Sequence, residues 1–271
     1  QNFSTTLYTG TGAAQTITNG IDLSGDGGLV WTKVRDQTGD HALMNSESSW
    51  LTELASNKTD AEGTTSYVNF VDNSNGYSMN TAASRWNESA RDYVSWTFKK
   101  QAKFFDVVTY TGNGATGRTV AHGLDGPVGF LVVKRTSSSG NNWTCYHKSL
   151  GNAGVIELNG TGAAATGNTK WNSTTPTTTE FTVSSDSSLN SSGATYVAYL
   201  FAHDTASDSL IKCGSYTGTG SAGLAINIGW EPQWFMMKRT DTAGADWFIF
   251  DSQRDFSVSP QKILRANAAN A

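Results

Sequence analysis

Apolar residues in this chain come in short runs of two kinds. Some alternate with polar residues, as in Gln15-Thr16-Ile17-Thr18 and Ser66-Tyr67-Val68-Asn69-Phe70-Val71. Such alternation is the pattern of a strand with one buried face. Others are continuous, as in Leu29-Val30-Trp31 and Phe130-Leu131-Val132-Val133, and predict strands buried on both sides. Turn signals such as Asn19-Gly20 and Asn75-Gly76 separate the runs. The pattern predicts strands over 5–9, 15–18, 28–35, 41–46, 66–71, 77–79 and 92–98. It continues with 105–110, 118–121, 129–135, 143–147, 155–158, 180–184 and 195–202. Four more follow at 211–216, 224–228, 233–239 and 246–251. Trp50, Leu51 and Leu54 have helical spacing, so 46–55 reads as a short helix or a loop. In the strand over 92–98, Tyr93, Ser95 and Thr97 fall on one face and Val94, Trp96 and Phe98 on the other.

The strand pattern repeats. Tyr-Thr-Gly-x-Gly stands at 8–12, 110–114 and 216–220, at spacings of 102 and 106 residues. About twenty residues after each copy an apolar run ends in lysine, at Lys33, Lys134 and Lys238. A third landmark follows at Ala42-Leu43-Met44, Trp143-Thr144-Cys145-Tyr146 and Trp247-Phe248-Ile249-Phe250. A fourth closes the unit, Tyr93-Val94-Ser95-Trp96-Thr97-Phe98 against Tyr196-Val197-Ala198-Tyr199-Leu200-Phe201, and the third unit has no copy of it.

The fold class predicted is all-β: tandem β-sandwich, jelly-roll-like domains of about 100 residues. Their expected bounds are 1–103, 104–208 and an incomplete 209–271. A unit of that size can bury its own core, so the expectation is beads on a string. The third unit would expose strand edges and apolar faces. The expectation is that more chain follows Ala271 or that a neighbouring chain supplies the missing strands. A start at Gln1 and an end midway through a unit further suggest a processed product or a portion of a longer chain.

Composition narrows the function classes. Charged residues are 15% and the net charge is −4, which gives no basic surface for nucleic acid. Aromatics are 11%, with nine Trp, too many for a disordered chain despite the wealth of Ser, Thr, Asn and Gly. The apolar runs are far shorter than the roughly 20 residues of a membrane helix, so no membrane insertion is expected. Cys145 and Cys213 sit at non-equivalent repeat positions and are expected to be free thiols.

Candidate chemistry is sparse. Gly112-x-Gly114-x-x-Gly117 and Gly218-x-Gly220-x-x-Gly223 match a dinucleotide fingerprint, but no strand–helix–strand unit surrounds them. They read as strand turns, and no cofactor is expected. His41, His122, His147 and His203 lack metal-ligand spacing, and His41 and His147 read as edge or loop positions. Asp22 with Asp26, and the stretch Asp72-Asn73-Ser74-Asn75-Gly76, are weak calcium candidates that read better as turns. There is no Gly-x-Ser-x-Gly elbow, and no unit is rich in acidic residues, so no catalytic residue is assigned and the expectation is a protein that is not an enzyme. Trp86 and Trp171 lie in polar stretches, each followed by Asn. They are the candidate ligand-binding residues, by stacking on a sugar, against the plainer reading that each covers an open end of its sandwich.

The combination of Tyr-Thr-Gly-x-Gly, an apolar strand ending in Lys-Arg, and Tyr196 to Asp204 resembles a family of repeated β-domains in virion proteins of tailed bacteriophages, notably marine and cyanobacterial ones. The likeness covers essentially the whole chain. It is strongest over 105–204 and 214–251, and the first unit departs from it at 20–28, which lacks a Gly-x-x-Pro turn. The resemblance implies a component of the virion's exterior, a tail-fibre or adhesion segment that binds host-surface glycan. Its implied partners are other virion proteins and further copies of itself, trimeric by analogy with phage fibres. Two other readings stay open: a capsid decoration protein that stabilises the head, and accessory domains of a carbohydrate-active enzyme.

Overall fold

A computed structural model describes residues 1–48, 50–65, 68–69, 74–206, 208–254 and 262–270. The first unit contributes strands β1 (Phe3–Thr9), β2 (Gln15–Thr18), β3 (Gly28–Val34), β4 (Ala42–Asn45), β5 (Thr52–Glu53), β6 (Gly63–Thr64), β7 (Val68–Asn69), β8 (Gly76–Met79) and β9 (Asp92–Lys99). The second contributes β10 (Phe105–Thr111), β11 (Arg118–Ala121), β12 (Val128–Arg135), β13 (Thr144–His147), β14 (Ile156–Glu157), β15 (Glu180–Val183) and β16 (Thr195–Ala202). The third contributes β17 (Trp234–Lys238), β18 (Trp247–Asp251) and β19 (Leu264–Arg265). The expected all-β class is what the structure shows. Helix is confined to short turns such as Ser187–Asn190, capped by Asp186, which accepts from the Ser188 amide at 2.8 Å. In 46–55 the expected helix or loop is a turn over Ser46–Ser48 followed by β5. Of the strand predicted over 66–71, only Val68 and Asn69 lie within the described residues.

The units share one sheet plan. The main sheets run β1-β9-β3-β4 and β10-β16-β12-β13-β14, all pairs antiparallel. The closing strand of each unit therefore lies between its opening strand and its Lys-ending strand. A smaller sheet covers the outer face, β2-β8-β7 in unit 1 and β11-β15 in unit 2. Between main and small sheet lies a private core: Tyr8, Val30, Met44, Tyr77 and Tyr93 in one, Tyr110, Leu131, Tyr146, Phe181 and Tyr196 in the other.

The units are not beads on a string. The other face of each main sheet turns to a core that all three units build together. Unit 1 gives Trp31, Val94, Trp96 and Phe98; unit 2 gives Phe105, Val132, Trp143, Val197 and Tyr199; unit 3 gives Trp247, Ile249 and Leu264. This is why β3 and β12 read as continuous apolar runs: with a core on each face, neither has a solvent side. It also accounts for β9, whose Val94, Trp96 and Phe98 enter the shared core while Tyr93 enters the private one.

A ring of side-chain to backbone bonds ties the units together. Trp143 of unit 2 donates Nε1–H to the Ala55 carbonyl of unit 1 at 3.2 Å. Trp247 of unit 3 donates to the Glu157 carbonyl of unit 2 at 2.9 Å. His41 of unit 1 closes the ring with Nε2 at 2.8 Å from the Arg265 carbonyl of unit 3. The three donors hold one repeat position, because each has its amide on an equivalent asparagine: Asn57, Asn159 and Asn267 at 3.1, 2.8 and 2.8 Å. Each asparagine also bonds the residue preceding its ring donor or one equivalent to it, Asp40, Asn142 and Asp246. His41 lies in the loop before β4, as expected, yet is fully buried, and it corresponds to two tryptophans rather than to His147.

Unit 3 departs from the plan. Residues 211–216 and 224–228, predicted as strands, form none, and Leu210, Tyr216, Leu224, Ile226 and Trp230 are exposed. The reason is the missing pairing. The counterparts of 211–216 pair with β9 and β16, and those of 224–228 with β8 and β15. Strand propensity without a ladder partner leaves backbone groups to water.

Candidate functional site

In units 1 and 2 the repeat motif is a small device built from two tyrosines and two glycines. Tyr8 stacks on Tyr93 with ring centroids 5.2 Å apart, and Tyr110 on Tyr196 at 5.0 Å. The first tyrosine donates to the loop before the closing strand: Tyr8 to Trp86 O at 2.8 Å, Tyr110 to Leu189 O at 2.7 Å. The second donates to the Ser84 and Ser187 carbonyls and accepts from the Glu88 and Ser191 amides. Burial raises the pKa of all four phenols. Asn87 and Asn190, fully buried, each accept from the motif's fourth residue and donate to the carbonyl two residues further on. Gly10 and Gly112 are required by contact. A Cβ there would lie 2.3 Å from Glu88 O and 2.1 Å from Ser191 O.

The same contacts dispose of the fingerprint match at 112–117. The amides of Gly112, Gly114 and Gly117 donate to Ala194 O, Asn190 O and Val183 O, so none is left for a phosphate. Among the described residues no group of three or more His, Cys, Asp or Glu is placed to hold a metal. Asp22 accepts from the Ser24 amide and hydroxyl, which lower its pKa, and Asp26 pairs with Lys99 at 3.1 Å. Of the stretch 72–76, Asp72 and Asn73 lie outside the described residues. Both cysteines are free; burial raises the Cys145 thiol strongly and pushes Cys213 up to about 12, so neither is a thiolate at neutral pH.

The expectation of exposed stacking platforms at Trp86 and Trp171 is corrected. Both side chains are fully buried. Trp86 donates Nε1–H to Glu53 at 2.7 Å and meets Tyr77 edge to face. Trp171 donates to the Gly154 carbonyl at 3.1 Å and meets Tyr146 edge to face. Each belongs to its unit's private core. The two are not repeat equivalents: Trp86 corresponds to Leu189, the other carbonyl held by a motif tyrosine.

The surface over Trp171 is a polar groove of about 610 Å³, lined by residues that include Asn168, Thr169, Lys170, Asn172, Ser184 and Asp186. Its central cation is fixed: Lys170 Nζ donates to Ser188 Oγ at 3.0 Å and lies 3.6 Å from Asp186. Hydrogen bonds from Ser188 lower the Asp186 pKa, outweighing the effect of burial, the largest single influence and of opposite sign. A second cleft, about 740 Å³, lies at the junction of units 1 and 2 beside Lys100, Asp106 and His122. Lys100 bridges Glu47 at 2.7 Å and the buried Asp106 at 3.3 Å. The third distinctive surface is unit 3, where β17 is a sheet edge and the one exposed tryptophan, Trp230, lies beneath the Lys212 ammonium. Sequence reasoning missed the groove and the cleft, since each is a meeting of stretches far apart in the chain, and anticipated the open edge and apolar face of unit 3.

The chain matches, over residues 1–271, the family described as "Domain of unknown function (DUF7483)", and it belongs to that family. No curated protein and no solved structure matches it. The family match spans all three units, which also share one core.

Proposed function

We propose that this protein is a structural, non-catalytic component of a phage virion's exterior, a tail-fibre or adhesion segment whose contact with host glycan is made in the groove over Trp171. The observation that carries the glycan contact is that groove. It gathers amides, hydroxyls, one ammonium and one carboxylate, with Lys170 and Asp186 held in place by Ser188. Fixed donors and acceptors of both signs suit a polyhydroxylated ligand. The resemblance carried by the repeated motif supports the virion assignment. The ring of units around a shared core supports a rigid load-bearing role, with three-fold bonding achieved inside one chain. Further copies and other virion proteins remain partners in this reading. Glycan-array binding with the wild type and with Lys170→Ala tests it: binding lost in the variant supports the groove, and no glycan binding by the wild type overturns the adhesin.

A second reading, a capsid decoration protein, is favoured by the open apolar face of unit 3, which suits a protein neighbour better than a sugar. Mapping the chain's density in the intact virion separates the two. Density projecting from the tail supports the adhesin, and density on the capsid shell supports decoration.

A further inference from the structure

Unit 3 holds half of a device that units 1 and 2 hold whole. β17 corresponds to β3 and β12, and β18 to β4 and β13, since Lys238 follows Lys33 and Lys134 and Trp247 follows His41 and Trp143. In units 1 and 2 the Lys-ending strand is paired on both sides. β17 is paired on one side, with β18, and among the described residues no backbone bond covers its other edge. Its side chains are only partly buried, and Trp234 Nε1 is shielded from water without a hydrogen-bond partner among the described residues.

The third Tyr-Thr-Gly-x-Gly motif gives an independent sign. At Gly10 and Gly112 the missing side chain admits a carbonyl of the closing segment. Gly218 has the same sequence place, and nothing lies within 4 Å of where its Cβ would be. Gly220 keeps the left-handed φ of its counterparts, +70° against +71° and +74°, with nothing facing it either. Tyr216, the counterpart of two buried stacked tyrosines, is 53% exposed.

A third sign lies across the shared core. Tyr199 of β16 accepts from Asn45 of unit 1 at 3.1 Å, and Trp96 of β9 donates to Asp251 of unit 3 at 3.0 Å. Asn45, His147 and Asp251 hold one position, the last residue of β4, β13 and β18. The rotation that relates these bonds sets His147 opposite the closing strand of unit 3, which the described residues do not contain.

We propose that unit 3 is a receptor for an extended segment supplied by a partner and carrying Asn-x5-Tyr-Val-x-(Trp/Tyr)-x-Phe. Asn87 to Phe98 and Asn190 to Phe201 are the two internal examples of that segment. The segment inserts between 211–217 and β17, antiparallel to both, as β9 and β16 do. Its Asn takes the amide of Thr219, its Tyr stacks on Tyr216, its Trp or Tyr reaches His147, and its Phe joins Trp234. Main-chain pairing supplies affinity and the alternating aromatics supply selectivity. The two such segments within residues 1–271 of a second copy are not the occupant, because they are already paired in their own units. The proposal does not rest on the glycan reading and survives its failure.

The test is amide hydrogen exchange of the full chain with a synthetic peptide copying residues 187–202. Expected are slowed exchange at 234–238 and 216–220, and loss of at least about tenfold in affinity when the peptide's tyrosine equivalent to Tyr196 is alanine. Gly218→Leu makes the result specific. It should leave the free chain's unfolding curve unchanged, since the site is open, and abolish peptide protection, since a side chain there meets the incoming carbonyl. Absence of protection at β17, or protection that persists in Gly218→Leu, overturns the proposal. So does self-association of the chain through β17 that the peptide does not displace.

Discussion

The hydroxyl of Tyr8 donates to the carbonyl oxygen of Trp86 at 2.8 Å, joining the start of unit 1 to the loop that precedes its last strand. Tyr110 does the same to Leu189. Both bonds are buried, so removing the donor leaves a carbonyl with neither protein nor water. Tyr8→Phe and Tyr110→Phe should each cost about 1–3 kcal/mol in urea unfolding. Tyr216→Phe, whose hydroxyl among the described residues meets the Met237 sulfur at 3.5 Å in an exposed setting, should fall within about 0.5 kcal/mol of wild type.

The ring of units predicts joint unfolding. Trp143→Phe removes the bonds from Nε1 to the Ala55 and Lys58 carbonyls along with part of the buried ring, and should cost at least about 1–3 kcal/mol. Because units 1 and 2 share a core, calorimetry of the chain should show them melting in one transition. Residues 104–208 alone expose Phe105, Val132 and Tyr199. That fragment should bind a hydrophobic dye and lack a cooperative melt.

His41 makes the ring sensitive to acid. Its Nδ1 accepts from Trp31 Nε1 at 2.8 Å while Nε2 faces the Arg265 carbonyl, so the neutral Nε2–H tautomer is the one that fits. Burial pushes its pKa down to about 3. The unfolded chain binds this proton near pH 6.5 and the folded chain does not. The contribution to stability is therefore present in full above about pH 6.5 and declines as pH falls toward about 3. A pH series of melting temperatures checks this: His41→Gln should flatten the slope in that window.

At alkaline pH two sets of groups oppose each other. Burial lowers Lys33 and Lys134 to about 8, so the folded state sheds protons first and stability rises from about pH 8 toward the unfolded lysine value near 10.4. Burial raises the motif tyrosines, so the folded state keeps their protons and stability falls once pH passes about 10. Melting temperature should peak between the two, and Lys33→Met should remove part of the rise.

Asp251 accepts from Trp96 and pairs with Arg254 at 2.7 Å, with both side chains almost fully buried. Asp251→Asn leaves the guanidinium buried without its counter-charge. The expected cost is about 3–5 kcal/mol, read as a shifted denaturant midpoint. The double change Asp251→Asn with Arg254→Met should recover most of it.

The repeat was legible because the tyrosine and first glycine of Tyr-Thr-Gly-x-Gly answer to local causes, a stacked ring and a backbone approach, that recur in units 1 and 2. Continuous runs such as 130–133 told of burial on both faces, yet not of what lay on the second. Any apolar cover leaves the same mark, so the shared core stayed hidden. The ring donors were hidden differently: His41 looks unlike Trp143 and Trp247, although all three offer a ring N–H. Trp86 misled because burial is settled by Glu53 and Tyr77, which are not its neighbours in sequence. Residues 211–216 and 224–228 have the composition of strands and lack the partners, and composition does not report partners.

The open edge at β17 also sets a stoichiometry. Within residues 1–271, units 1 and 2 consume their own closing segments, and unit 3 presents one opening that takes one strand. A contact made through it has a head and a tail. An assembly joined this way is heterologous, since the surface that gives the strand is unlike the surface that receives it.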